Sequence, residues 1–261
     1  MIGAYMPYAS SWCLWDSSAG GCTPSRRSRD PDLNITPMKN AKLLFHARCS
    51  GYDRMETVPR NEVLQMQEAA LNLRDHGWAK GSSGNISIRL STPFSGDPGK
   101  LYYNAPLKVP ELEGSHILIT RAGSTMEEVI GDPEGSIGLF GYHEGKLDLV
   151  WGSGPPTSEL SSHLLILSMK KGNVVMHCHM DAVLRFSSNH PGGRTLPGGF
   201  GSVGWFEPGS PELAFATMNA MKEHNTVLWM GHGAISCAGS VDECIGNLLE
   251  LERELEEILD G

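Results

Sequence analysis

Residues 174–179 read Val174-Val175-Met176-His177-Cys178-His179, and the reading of this stretch decides the fold. Two β-branched residues lead into it, and such residues favour an extended, pleated backbone. Along a strand the side chains alternate between faces. His177 and His179 therefore project to one side, about 7 Å apart along the chain, and Cys178 projects to the other. Two imidazoles on one side can share a divalent ion, and neutral ring nitrogens suit zinc. Taken alone, His-x-His is equally well a pair of structural histidines.

Working outward, two other stretches carry matching chemistry. Upstream, Pro155-Pro156-Thr157-Ser158-Glu159 reads as a hydroxyl-rich helix start ending in a carboxylate. Downstream, the apolar run Val227-Leu228-Trp229-Met230 runs into Gly231-His232-Gly233. A third imidazole and one carboxylate complete a set of three nitrogens and one oxygen, which is a metal site in the making. Each ring nitrogen turned away from a metal then needs a partner that fixes its tautomer.

The elements around these stretches alternate. The segment from Asn61 predicts a helix capped by Asn61, with Val63, Leu64, Ala69, Ala70 and Leu73 at helical spacing and Gly77 as its stop. Gly81-Ser82-Ser83-Gly84-Asn85 predicts a turn into a strand with Ile86, Ile88 and Leu90 on one face. Such a turn can wrap backbone N–H groups and hydroxyls around a phosphate. Leu101–Tyr103 and His116–Thr120 predict strands. Residues 138–151 predict a hairpin about Glu144-Gly145. Thr157 or Ser158 caps a helix expected to run to about Lys171, in which His163 falls four residues after Glu159, on the same side, as a structural histidine. A short helix is expected from Asp181, a Gly- and Pro-rich loop, functional or mobile, over 189–211, a helix from Pro211 to Glu223, and a buried strand from Thr226 to Met230. Ser240 and Glu243 form a capping box for a last amphipathic helix. The pattern predicts an α/β fold: one three-layer α/β/α domain, residues 55–261, around a mixed, largely antiparallel sheet.

Composition narrows the class. The chain has 261 residues, 40% of them hydrophobic, and a net charge of −9. No run of about eighteen apolar residues suggests a membrane-spanning helix, and the negative charge argues against nucleic acid as the main partner. Six cysteines without tight CxxC spacing read as reduced thiols, which implies a cytoplasmic setting. Residues 1–54 differ from the rest. They carry seven Lys or Arg against four Asp or Glu, so that residues 55–261 hold a net charge of −12. The expectation is a disordered extension or an over-extended reading frame whose natural start is Met55; mass spectrometry of the native N-terminus decides between them.

Four blocks, taken in order, carry a resemblance. Gly81-Ser82-Ser83-Gly84-Asn85-Ile86-Ser87, Ile119-Thr120-Arg121-Ala122-Gly123, Pro156-Thr157-Ser158-Glu159, and His177-Cys178-His179 with His232 resemble those of the class II aldolase/adducin family. Within that family the last two blocks, with Trp151-Gly152 ahead of them, are most similar to the rhamnulose-1-phosphate aldolase branch. Ser82 stands where that branch has an amide, and Ala122 where a hydroxyl is common. The resemblance implies one zinc per subunit on His177, His179 and His232. It implies Glu159 as the acid/base, able to ligate the metal in the substrate-free state, and Ser82, Asn85, Thr157 and Ser158 around the substrate phosphate. It further implies a homotetramer with active sites at subunit interfaces and a lyase of sugar-phosphate metabolism. Its substrate would be rhamnulose 1-phosphate or fuculose 1-phosphate, cleaved to dihydroxyacetone phosphate and an aldehyde. The group acting on the C4 oxygen is left between a neighbouring subunit and a tyrosine such as Tyr142. The same metal set with a Glu base would serve a methylthioribulose-1-phosphate dehydratase; a sugar-phosphate 4-epimerase of the family is the further alternative, though such enzymes typically carry a different acid in the Glu159 block. An adducin-like interaction module would not need these residues.

Overall fold

A computed structural model of the chain describes residues 59–92, 94, 101–190 and 199–261. The expectations for residues 1–54 and for a start at Met55 lie outside the described residues, as do residues 191–198 of the Gly- and Pro-rich segment.

The Val174–Cys178 strand, β6, lies inside a sheet that has nine strands among the described residues, ordered β2-β5-β4-β3-β1-β6-β9-β8-β7. The flanking strands are β1 (Asn85–Arg89) and β9 (Gly233–Ala238). Beyond β9 come β8 (Thr226–Trp229) and β7 (Gly201–Val203); beyond β1 come β3 (His116–Thr120), β4 (Ile137–His143), β5 (Lys146–Gly152) and β2 (Tyr102–Asn104). Every neighbouring pair is antiparallel except β7 with β8. The sheet is mixed and largely antiparallel, as the sequence pattern implied.

The period-two alternation builds two separate cores. Ile86, Ile88, Leu118, Met176, Cys178, Leu228 and Ala234 face helices α1 (Arg60–Asp75), α2 (Met126–Gly131), α5 (Asp181–Asn189) and α7 (Val241–Asp260). Ile117, Ile119, Val175, Val227, Trp229, Ile235 and Cys237 face α4 (Leu160–Ser168) and α6 (Pro211–Ala220). Both faces of the sheet are therefore covered by helices, which makes the three layers. His177 is on the second face, because it alternates with Met176 and Cys178.

Several boundaries differ from the sequence reading. Asn61 does not cap α1. Pro59 takes that place, its carbonyl accepting from the Val63 N–H, and Asn61 lies in the first turn. Helix α4 starts at Leu160 instead of just after Thr157 or Ser158, and Glu159 is its N-cap. The reason is a tether. Pro156 bridges Arg121, and the Thr157 N–H donates to the Thr120 carbonyl, which holds residues 156 and 157 against β3; a turn at Ser158 and Glu159 then leads into the helix. The same helix ends at Ser168, and Lys170 adopts φ +57°. The Ser240–Glu243 box is half formed: the Ser240 hydroxyl accepts from the Glu243 N–H, but the Glu243 carboxylate takes the N–H of Gly239. A full capping box, Thr125 with Glu128, opens α2, and α3 (Pro133–Ser136) follows it; neither helix stood out in the sequence. Nor did β9, whose Gly, Ala and Ser residues mute the alternation, or β7, which lies within the Gly- and Pro-rich segment.

Candidate metal centre and its carboxylate

Three imidazoles meet at the end of β6. His177 is the fourth residue of the strand, His179 lies just past it, and His232 occupies the β8–β9 turn. One nitrogen from each lies within 4.8 Å of the others. The Nε2 atoms of His177 and His179 are 3.0 Å apart. The ring centroids of His177 and His232 are 4.9 Å apart, and those of His179 and His232 4.8 Å.

What brings the rings so close is local. The Trp229 indole lies against His177 at 4.4 Å and His232 at 5.1 Å between centroids, and its N–H donates to the Thr217 hydroxyl. Gly233 faces Trp229 across β8–β9. A Cβ there would stand 2.2 Å from the Cys178 carbonyl oxygen and 3.1 Å from His177 Cε1, so only glycine lets the turn and the strand end touch.

The rings are disposed to receive a cation. His177 is buried and donates Nδ1–H to the Ala234 carbonyl at 2.9 Å, which leaves Nε2 as a bare acceptor turned to the cluster. His232 Nδ1 is buried without a hydrogen-bond partner among the described residues. Burial holds His177 well below the usual histidine pKa, and the two neighbouring imidazoles push it the same way. Burial also lowers His179, and it takes His232 down to about 4, with His179 assisting. All three rings are neutral at pH 7, the form that ligates metal. Three neutral nitrogens with a carboxylate beside them match the donor set of a catalytic zinc site.

That carboxylate is Glu159. Its Oε1 is 3.7 Å from His232 Nε2, and its Oε2 accepts from the Gly209 N–H at 3.0 Å. Burial raises the carboxyl to about pKa 7, against the lowering effect of the Gly209 N–H. Gly209 has φ +75°, and a Cβ on it would stand 2.5 Å from the Ser158 carbonyl oxygen. The Glu159 carboxylate is thus held by a residue of the loop that the sequence marked as functional or mobile.

The expected phosphate residues divide. Asn85 is buried and stands opposite His177 in the β1–β6 ladder, on the same face. Thr157 is buried, and its hydroxyl accepts from the Glu159 N–H at 3.4 Å. Ser82 and Ser158 are exposed, and neither is bonded to the other candidates among the described residues. Tyr142 is removed from the site: its phenol oxygen accepts from the Val109 N–H at 2.6 Å, on β4, with β3 and β1 between it and β6.

Comparison with known proteins fits this geometry. The model of the Class II Aldolase and Adducin N-terminal domain matches residues 64–259. The chain belongs to the class II aldolase and adducin family. It is 31% identical over 225 residues to a rhamnulose-1-phosphate aldolase of Listeria monocytogenes serotype 4b, covering 74% of this chain and 82% of the relative. A rhamnulose-1-phosphate aldolase of Enterococcus faecalis is 29% identical over 226 residues, covering 74% and 81%. Among solved structures, a sugar-phosphate aldolase from Thermotoga maritima superposes with a TM-score of 0.68 at 26% identity, over 77% of this chain and 94% of its own. An L-fuculose 1-phosphate aldolase shares the fold, with a TM-score of 0.58 at 18% identity over 77% and 86%.

Seen as a member of this family, the chain has three site residues that sequence reasoning passed over. Trp229 was read only as part of the apolar strand ahead of His232, and it is core on one side and a backing for two imidazoles on the other. Gly209 had only its place in a long loop to mark it. Gly233 was quoted as a flank of His232, yet its contact with the end of β6 depends on a register that the sequence does not state.

Proposed function

We propose that the chain is a zinc-dependent aldehyde-lyase that cleaves a ketose 1-phosphate, of the rhamnulose or fuculose kind, to dihydroxyacetone phosphate and an aldehyde. The observation that carries this reading is the juxtaposition of three neutral imidazoles with one buried carboxyl of pKa about 7. The names of the curated relatives support the substrate class.

His177, His179 and His232 would hold one zinc per chain. Bound there, the ion would act as a Lewis acid on a substrate carbonyl, worth several kcal/mol in the transition state. The protein's own groups do the rest. Breaking the C3–C4 bond leaves an electron pair on C3, and Glu159 in its protonated form delivers a proton to that carbon. In the reverse direction its carboxylate takes the same proton back. Burial raises the carboxyl above the usual carboxylate range, which favours a proton-carrying form and suits a general acid–base group. The Asn85 amide and the Thr157 hydroxyl bind phosphate oxygens, joined by Ser82 and Ser158 from the rim. The group acting on the C4 oxygen comes from a second subunit of a homotetramer, since Tyr142 is committed elsewhere. The cytoplasm is the setting consistent with the three buried free thiols among the described residues.

The test is a coupled assay on the full-length chain loaded with zinc, following dihydroxyacetone phosphate released from rhamnulose 1-phosphate and, in parallel, from fuculose 1-phosphate. Release that chelator abolishes and zinc restores is the expected result, and the faster sugar names the substrate. No release from either sugar by a chain holding one zinc overturns the aldolase reading in favour of the dehydratase chemistry that the same metal set and Glu would serve.

A further inference from the structure

His163 is fully buried on α4, one turn after Glu159, and it reaches the sheet. Its ring bonds two residues of β1 that share a face: Nδ1 with the Ser87 hydroxyl at 2.6 Å, and Nε2 with the Asn85 side-chain oxygen at 2.5 Å. Burial takes the ring's pKa to about 3, so it is neutral and carries one proton. Those facts fix the direction of both bonds. An amide oxygen only accepts, so the proton is on Nε2 and points at Asn85. The bare Nδ1 then accepts from the Ser87 hydroxyl. The relay runs one way, from Ser87 through His163 to Asn85.

The consequence falls on Asn85. With its oxygen engaged, the amide cannot rotate by half a turn without facing N–H against N–H. Its amino group is directed away from His163, and its Nδ2 has no acceptor among the described residues. Asn85 stands opposite His177 in the β1–β6 ladder, on the face that carries the histidine cluster. A flipped amide would offer an anion a carbonyl oxygen instead, which repels it.

We propose that His163 is a positioning residue that holds the Asn85 amide with both N–H donors toward the substrate's phosphate. This rests on the reading of Asn85 as a phosphate ligand given above. A merely structural role would link α4 to β1 with no preference for either face of the amide.

The experiment uses the zinc-loaded full-length chain and inorganic phosphate as the probe, with calorimetric affinities for the wild type, His163→Phe, His163→Gln and Asn85→Ala. A glutamine can still accept from Ser87 and donate to Asn85. His163→Phe is expected to weaken phosphate binding about tenfold or more, the size of a lost hydrogen bond to a charged group. KM for the sugar phosphate should rise in parallel and kcat stay within about threefold, while His163→Gln recovers most of the affinity. Phosphate affinity unchanged in His163→Phe, where Asn85→Ala weakens it, overturns the positioning role alone. Affinity unchanged in Asn85→Ala as well overturns the phosphate reading beneath it. A second measurement covers a phenylalanine variant that fails to fold: side-chain 15N spectra of the wild type, with His163 assigned by its loss in His163→Gln. The Nε2–H tautomer is expected, and a Nδ1–H tautomer overturns the proposal whatever Asn85 binds.

Discussion

Asn85 and His177 face each other across the β1–β6 ladder, on the side of the sheet that α4 and α6 cover. One strand pair thereby sets the spacing between the proposed phosphate ligand and the first proposed metal ligand. Replacing Asn85 with alanine should raise KM for the sugar phosphate about tenfold or more, since a hydrogen bond to a charged group is worth roughly 1.5–3 kcal/mol. Zinc content by atomic absorption should stay at one per chain. A loss of zinc in this variant would mean that Asn85 supports the metal instead.

The histidine cluster predicts a stability linkage. Zinc at one hundred times its dissociation constant should stabilise the wild type by about 2.7 kcal/mol. His179→Ala removes one of the three nitrogens and should lose most of that gain, with zinc content falling toward zero. Denaturant unfolding with and without chelator measures it. Equal zinc stabilisation of variant and wild type would place the ion elsewhere.

Glu159 is the proposed proton carrier, so Glu159→Gln should retain zinc and lower kcat by about 10²- to 10⁴-fold, the usual worth of a general acid–base group. Near-normal turnover would remove Glu159 from the mechanism. The Gly209 N–H that holds its carboxylate leads to a companion expectation. Gly209→Ala meets both the left-handed backbone and the Ser158 carbonyl. It should cost about 1–3 kcal/mol of stability and lower kcat further than any effect on KM.

His163 also leads to a pH prediction. Its folded pKa, about 3, lies below the ordinary histidine value because burial disfavours the charged ring. Between those values the unfolded chain binds a proton that the folded chain does not. The stability it contributes is complete above pH 6.5 and is lost as pH falls toward 3. From pH 7 to 5 this one residue should cost about 2 kcal/mol. In chelated protein, His163→Gln should show a correspondingly shallower loss in urea unfolding at the two pH values. Parallel losses in variant and wild type would show that His163 is protonated in the fold.

The strands richest in β-branched residues were legible, because alternation states which residues share a face. His116–Thr120 was found at its full length. Strand β9 was not found, since small residues fit a crowded sheet interior without leaving an alternating signal. Helix α4 was found but placed early. Thr157 has the chemistry of a cap, and the tether of residues 156 and 157 to β3 delays the helix until after Glu159. The candidate ligands were legible as residue types: His177 with His179 on one strand, His232 between glycines, Glu159 after hydroxyls.

By itself the sequence determined the faces. The order Val174 to Cys178 separates Met176 and Cys178 from Val175 and His177, and strand geometry makes that separation unavoidable. It also determined the chemistry on offer, three imidazoles and a carboxyl. The tertiary structure decided the partners. Register brings Asn85 beside His177 and Trp229 under two rings. The loop supplies the Gly209 N–H to Glu159, and α4 supplies His163 to Asn85. Local pattern reports which way a side chain points, but what it meets there depends on strands and helices far apart in the chain, whose order is set by burying both faces of the sheet at once.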